Sequence, residues 1–91
     1  MITIETELKL ASGTILKNRI AKSAMAESMS IDTLPKEAYI NAYSTWAQGG
    51  LGLCITGNVM VDREHLGEFQ NVVLDNAVND LSDFKNWASS A

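Results

Sequence analysis

Leu53-Cys54-Ile55-Thr56-Gly57-Asn58-Val59-Met60-Val61 starts as an almost unbroken apolar run. A strand with one wet face alternates, so a run of this kind reads as a strand covered on both faces, as in a parallel sheet. The residues before it agree. Thr33-Leu34-Pro35 opens a helix, with Thr33 as cap and Pro35 in the first turn, where no N–H is needed. Tyr39, Tyr43, Trp46 and Ala47 then recur on one helical face. Gly49-Gly50 ends the helix, because glycine supplies a left-handed cap. Upstream, Ile20 to Ala24 reads as a strand of mostly small residues. Strand, helix and strand at this spacing predict a right-handed crossover and a parallel sheet.

Outward from this unit, Leu8-Lys9-Leu10 and Ile15-Leu16 flank Ser12-Gly13. That pattern predicts a β-hairpin in which Gly13 takes a positive φ. Downstream, Asp62 to Asn71 is a charged loop, and Val72-Val73-Leu74 is a short extended piece. Asn79 or Asp80 caps a last helix, on which Leu81, Phe84, Ala88 and Ala91 share a face. Only two strands belong to the parallel sheet, too few to cover its faces or satisfy its edges. The last helix runs to Ala91 without a stop signal. The expectation is the front portion of a larger α/β protein. The other reading is a mini-domain that pairs with a copy of itself.

With 91 residues, the chain has room for one domain. Hydrophobic residues at 46% and charged residues at 20% exclude a disordered acidic tail. Seven Lys plus Arg against eleven Asp plus Glu leave a net charge of −4, which argues against a nucleic-acid partner. Cys54 is the only cysteine, so this chain alone forms neither a disulfide nor an iron–sulfur cluster. Met1-Ile2-Thr3-Ile4-Glu5 lacks the basic start of a signal peptide. The apolar stretch Leu51–Ile55 is far too short for a membrane span. The expected setting is cytoplasmic, without a membrane partner.

Two segments carry candidate chemistry. Ser23-Ala24-Met25-Ala26 ends the first strand, and ligand sites of barrel and doubly wound folds lie at such C-terminal strand ends. Small side chains there let a flat ring lie against the backbone; they equally suit plain packing. Gly57 in the second strand marks a close approach of backbone or ligand. The amide of Asn58 can bind the edge of a heterocycle or simply satisfy a strand end. His65, beside Glu64 and near Glu68, is weak support for a metal and reads as a solvated loop histidine. Cys54 reads as a small apolar residue, with no base adjacent. Lys17, Arg19 and Lys22 face either a phosphate or, more simply, solvent at a strand edge. Trp46 and Trp87 pack helices on the sheet. Gly49-Gly50-Leu51-Gly52 is not a dinucleotide fingerprint, because it follows a helix and precedes a strand.

Three segments together resemble the Old Yellow Enzyme family, the FMN-dependent NADH:flavin oxidoreductases. The first is Leu16-Lys17-Asn18-Arg19-Ile20 with Ser23-Ala24-Met25-Ala26. The second runs from Tyr43 to Leu53 through Gly49-Gly50-Leu51-Gly52, then Ile55-Thr56-Gly57-Asn58-Val59. The third is Asn71-Val72-Val73-Leu74-Asp75 leading to Phe84-Lys85-Asn86-Trp87-Ala88. The resemblance covers about Leu8 to Ala91 and implies that residues 1–91 are the N-terminal fragment of an FMN-binding (β/α)8 TIM barrel: the floor hairpin plus about two βα units. A whole barrel takes about 250 residues.

By this resemblance, Ser23, Ala24, Met25 and Ala26 hold the flavin through backbone contacts, and Asn58 matches a second flavin-contacting position. Ala26 stands where many members carry Thr or Cys beside the redox-active edge, so that tuning is absent. Ala24 replaces a frequent proline, and Ser28 stands where some members have a substrate-contacting Tyr. The substrate-anchoring His and Asn residues, the proton donor and the flavin-phosphate loops belong to later strands, so no catalytic or metal-binding residue is assigned. The implied activity is hydride transfer from NAD(P)H (NADH or NADPH) through FMN to a small-molecule acceptor such as an activated alkene, an ene-reductase-type reaction. The 91-residue chain alone is expected to be inactive, its partner surfaces being the remaining barrel strands or another copy. The alternative is a non-enzymatic α/β remnant or self-associating module. The reading frame after Ala91 discriminates: six further βα units support the enzyme, a stop codon the remnant.

Overall fold

The computed structural model describes residues 1–91. The chain begins with an antiparallel hairpin, β1 (Leu8–Lys9) and β2 (Ile15–Leu16), in which Leu8 faces Leu16 and Lys9 faces Ile15. Gly13 takes φ +93° in the turn, as Ser12-Gly13 predicts. The residues after the hairpin fasten it to the rest. The Arg19 guanidinium donates to the carbonyls of Thr6 (3.2 Å) and Glu7 (3.2 Å). Asn18 donates from Nδ2 to the Gly50 carbonyl (2.6 Å) and accepts from the Ile20 N–H (3.0 Å). Gly52 lies against Asn18 so closely that a methyl group would sit 2.5 Å from the Asn18 carbonyl oxygen.

The expected strand–helix–strand order with a parallel return is present. β3 (Ala21–Lys22) leads through 23–36 to α1 (Glu37–Gln48), and β4 (Leu53–Cys54) returns parallel to β3, with Ala21 opposite Leu53 and Lys22 opposite Cys54. Gly49 and Gly50 close α1 through N–H bonds to Trp46 and Ala47, with Gly50 at φ +97°. The helix starts later than Thr33 predicts. Thr33 sits at φ +64°, and its hydroxyl turns to the Asp32 carbonyl. Pro35 is buried ahead of the helix, and Lys36 occupies the cap position. Lys36 is tied instead to Asp83 of the second helix, 2.9 Å away.

The apolar run 53–61 is not one strand. It divides into β4 and β5 (Val59–Met60), because the two halves pair with different partners. β5 runs parallel to β6 (Val72–Val73), with Val59 opposite Val72 and Met60 opposite Val73. Both residues of β6 are fully buried. This second parallel pair is linked by the charged loop that the sequence predicts over 62–71, without a helix; its parallel pairing is what hydrophobic periodicity does not reveal. Arg63 braces the loop with a two-pronged pair to Asp75, at 2.8 Å on each prong. Asn71 Oδ1 accepts from the Glu68 N–H, 2.6 Å. The other side of β6 is taken by 30–33: the Val73 N–H reaches the Thr33 carbonyl, 2.9 Å, and the Ser30 hydroxyl reaches that of Asn71, 3.1 Å. The result is a mixed α/β structure of three two-stranded sheets.

The interior is aromatic. α2 (Ser82–Ser90) places Trp87 edge-on to Tyr39 at 5.1 Å and to Tyr43 at 5.4 Å, while Trp46 stands edge-on to Tyr43. T-shaped aromatic pairs add about 0.5–1.5 kcal/mol each beyond the area they bury. Asp80 prepares α2, taking the N–H of Ser82 at 2.9 Å. The buried face of α2 centres on Trp87 and not on Leu81 or Ala88, which are exposed. Only nine of 91 residues are buried, and Ile20, Met25, Leu53, Ile55, Val61 and Phe69 are exposed. The accessible surface is 6,225 Å², against about 5,200 Å² for a compact monomer of this mass.

Trp87→Ala should remove about 3–5 kcal/mol, comparable to everything a core this small supplies. The expected result is loss of a cooperative thermal transition and of the near-UV circular dichroism signal. Asp75 offers a pH test. The bonds from Arg63, ahead of the Ala77 N–H, pull its carboxyl from 3.8 down to about 2. A depressed folded value means that this stabilisation is complete above about pH 4 and is lost as pH falls through about 2. Melts across that window should fall with acid in the parent and less steeply in Asp75→Asn.

Candidate functional site

Because β3 and β4 are parallel, their C-terminal ends open on the same side. Ser23–Ala26 leave β3 there, and Thr56–Asn58 leave β4. Gly57 brings the two segments together. It is buried, and a Cβ on it would overlap the Met25 carbonyl oxygen and lie 2.6 Å from Glu27 Oε1. The close approach that the sequence assigns to Gly57 is therefore a backbone contact with the first strand end.

Ser23, Ala24, Met25 and Asn58 are exposed, and Ala26 is half-buried. No intrachain hydrogen bond takes up the backbone N–H of Ser23, Ala24, Met25 or Ala26. These free donors, on a segment that meets Gly57 next to Asn58 in sequence, form a ledge that can receive the polar edge of a planar ligand.

Beneath the ledge lies a charged group that the sequence pattern misplaces. The pattern puts Lys22 at a solvated edge, but its side chain is only 11% exposed. Its ammonium donates to the carbonyls of Ser23 (2.9 Å) and Ile55 (2.9 Å). It stands 3.8 Å from Glu27, whose side chain is 4% exposed, and over the rings of Tyr43 and Trp46 at 5.4 and 5.2 Å. The Tyr43 hydroxyl donates to Glu27 Oε2 at 2.7 Å. Burial first, then the bond to Glu27 and its charge, push the Tyr43 phenol well above its ordinary value. Burial also raises the Tyr39 phenol, opposed by the Met29 N–H that its oxygen accepts. The signal for this group is present in part: Lys22 is in strand register, and a lysine stem laid over two aromatic rings is a familiar way to bury a charge.

The other candidates separate. Lys17, Arg19 and Lys22 do not act together, since Arg19 is spent on the N-terminal carbonyls and Lys22 on the strand ends. His65 is 79% exposed and touches Asp62 at 2.7 Å. Cys54 is half-buried against the aromatic core. No three His, Cys, Asp or Glu side chains gather in a metal-binding group. A wide opening of about 590 Å³ lies at the C-terminal ends of β5 and β6, between Val61-Asp62 and Leu74–Ala77; Asp75 within it is already held by Arg63.

No family model matches the chain. Curated proteins do. The chain is 38% identical over 81 residues to the NADH-dependent flavin oxidoreductase iliE of Neonectria sp. (strain DH2), a match covering 88% of this chain and 11% of that protein. It is 37% identical over 82 residues to the iliE protein of the same description from Hypocrea jecorina (strain QM6a), covering 89% and 20%. With the NADH-dependent flavin oxidoreductase iccE of Talaromyces variabilis the identity is 41% over 90 residues, covering 90% and 21%. The chain thus spans 11–21% of the length of these relatives.

Gly57→Ala should force the Met25 carbonyl away and cost about 1–3 kcal/mol, the usual penalty of overpacking. Denaturant unfolding reads the cost. Amide resonances of Met25 and Glu27 should move, while those of α2 stay in place.

Proposed function

We propose that residues 1–91 form the N-terminal part of an FMN-dependent oxidoreductase with a (β/α)8 barrel, the hairpin closing its floor and β3 and β4 supplying its first strand ends. The observation that carries this reading is the 37–41% identity, over 81–90 residues, to proteins described as NADH-dependent flavin oxidoreductases. The ledge of free N–H groups at Ser23–Ala26, beside Asn58, supports it. So does the exposed apolar surface around Ile20, Leu53 and Ile55, which further barrel strands would cover.

When bound, FMN supplies two-electron chemistry, accepting hydride from NAD(P)H and delivering it to an acceptor such as an alkene conjugated to a carbonyl. The contribution of this chain is to hold and orient. Ser23, Ala24, Met25 and Ala26 offer backbone donors, Asn58 an amide, and the small side chains leave room for a ring. A flavin site needs donors converging from more strand ends than these two. Sub-micromolar binding takes about 8 kcal/mol, so the 91 residues alone should not retain FMN through purification or oxidise NADH.

The test uses a polypeptide that carries this sequence together with the remaining βα units. It should purify with one flavin per chain and be bleached by NADH. Protein that purifies without flavin overturns the reading. Within it, Ala26→Thr adds a hydroxyl beside the ring, worth roughly 0.5–1.5 kcal/mol if it favours one redox state. The two-electron midpoint should move by about 10–30 mV. Leu16→Ile, in the floor hairpin, should leave it unchanged in the same equilibrium titration.

A further inference from the structure

Lys22 has no part in the chemistry just described, yet it is the one cation whose ammonium is enclosed between the two strand ends. We propose that Lys22 is a positioning residue that clamps the Ser23–Ala26 and Ile55–Asn58 segments at a fixed spacing. The clamp rests on the flavin reading only for its purpose; its geometry stands independently. One ammonium donates to the Ser23 carbonyl at the end of β3 and to the Ile55 carbonyl at the end of β4, both at 2.9 Å. No other side chain bonds to both segments.

Three features make it a clamp and not an incidental surface contact. The lysine side chain is only 11% exposed, so its stem is held in place although the two carbonyls it meets belong to exposed residues. Its charge is balanced by Glu27, which the Tyr43 hydroxyl orients from α1 at 2.7 Å. The rings of Tyr43 and Trp46 lie beneath it, adding cation–π attraction and fixing the stem. The clamp therefore couples α1 to the ledge: helix, Tyr43, Glu27, Lys22, then the two carbonyls. The backbone contact of Gly57 with Met25 lies on the same ledge and depends on the same spacing. Amides that must meet a rigid ring gain from being held before the ring arrives, because ordering them on binding costs affinity.

The test begins with the unmodified, isotope-labelled 91-residue chain in nuclear magnetic resonance. The Lys22 ammonium protons should exchange slowly and show contacts to the Tyr43 and Trp46 rings. A Lys22 signal that exchanges as fast as those of the exposed Lys9 and Lys85 overturns the clamp. Lys22→Met then removes the donors and keeps the stem. It should lose the proton–proton contact between Gly57 and Met25 while keeping the near-UV signal of Trp87. Free FMN at millimolar concentration, the range of about 4 kcal/mol binding, is the ligand probe. Its shifts at the amides of Ala24–Ala26 and Asn58 should shrink at least about threefold in the variant, a small part of the loss of a bond from a charged donor. A variant that keeps both the Gly57–Met25 contact and the parent response to FMN overturns the proposal. No FMN response in the parent agrees with a site that needs further strand ends, and the clamp is then decided by the ammonium signal and the Gly57–Met25 contact. If Lys22→Met loses the Trp87 signal, the ammonium measurement in the unmodified chain decides.

Discussion

Trp87 standing edge-on to both Tyr39 and Tyr43 is the contact through which the two helices share an interior. The three rings, with Val72, are the cluster of buried apolar side chains on which the fold rests. Their geometry does more than fill space. Docking α2 onto α1 sets the face that α1 turns toward the strands, and Tyr43 on that face carries its hydroxyl to Glu27. Glu27 in turn lies against the Lys22 ammonium, which binds the two strand ends. A packing event between helices is thereby transmitted by two polar contacts to the open end of the parallel pair.

The segments that most strongly mark the resemblance divide into two kinds. Asn18, Arg19 and the turn from Gly50 to Gly52 act inside the chain. Asn18 joins the segment before β3 to the turn that ends α1, and Gly52 leaves room for that join. Arg19 ties the hairpin base to the N-terminal residues. Ser23–Ala26 and Asn58 are different, since the backbone N–H groups of 23–26 and the side-chain amide of Asn58 have no partner within the chain. Groups spent within the fold explain why a backbone takes its shape, and groups left free show where that shape can be used.

The surface is large for the mass, and many large hydrophobic side chains are exposed on it. Ile20, Leu53 and Ile55 flank the parallel pair, where a two-stranded sheet cannot cover itself. The polar contacts are correspondingly local. Arg63 with Asp75 and Lys36 with Asp83 each brace one loop or helix end against its neighbour. Such exposed pairs steady the connections but supply little of the stability, which leaves the aromatic cluster dominant.

Periodicity and glycine placement are enough to read the hairpin, α1 with its glycine stop, α2 and the parallel return of β4, because these depend on neighbours close in sequence. The role of Gly57 as a point of close approach is legible for a related reason: within an apolar run, the missing side chain leaves a gap that an interior fills with a neighbouring backbone. What the run 53–61 does beyond Cys54 is not legible, since Val59 and Met60 change partner to β6, and strand pairing is decided between distant segments. Nor is the helix start at Glu37 instead of near Thr33, where tertiary bonds to Val73 and Asp83 outweigh a local cap. The burial of Lys22 and Glu27 belongs to the same class. A lysine and a glutamate in sequence read as solvated, and only the rings of Tyr43 and Trp46, brought over them by the crossover, make a sheltered pair the lower-energy arrangement.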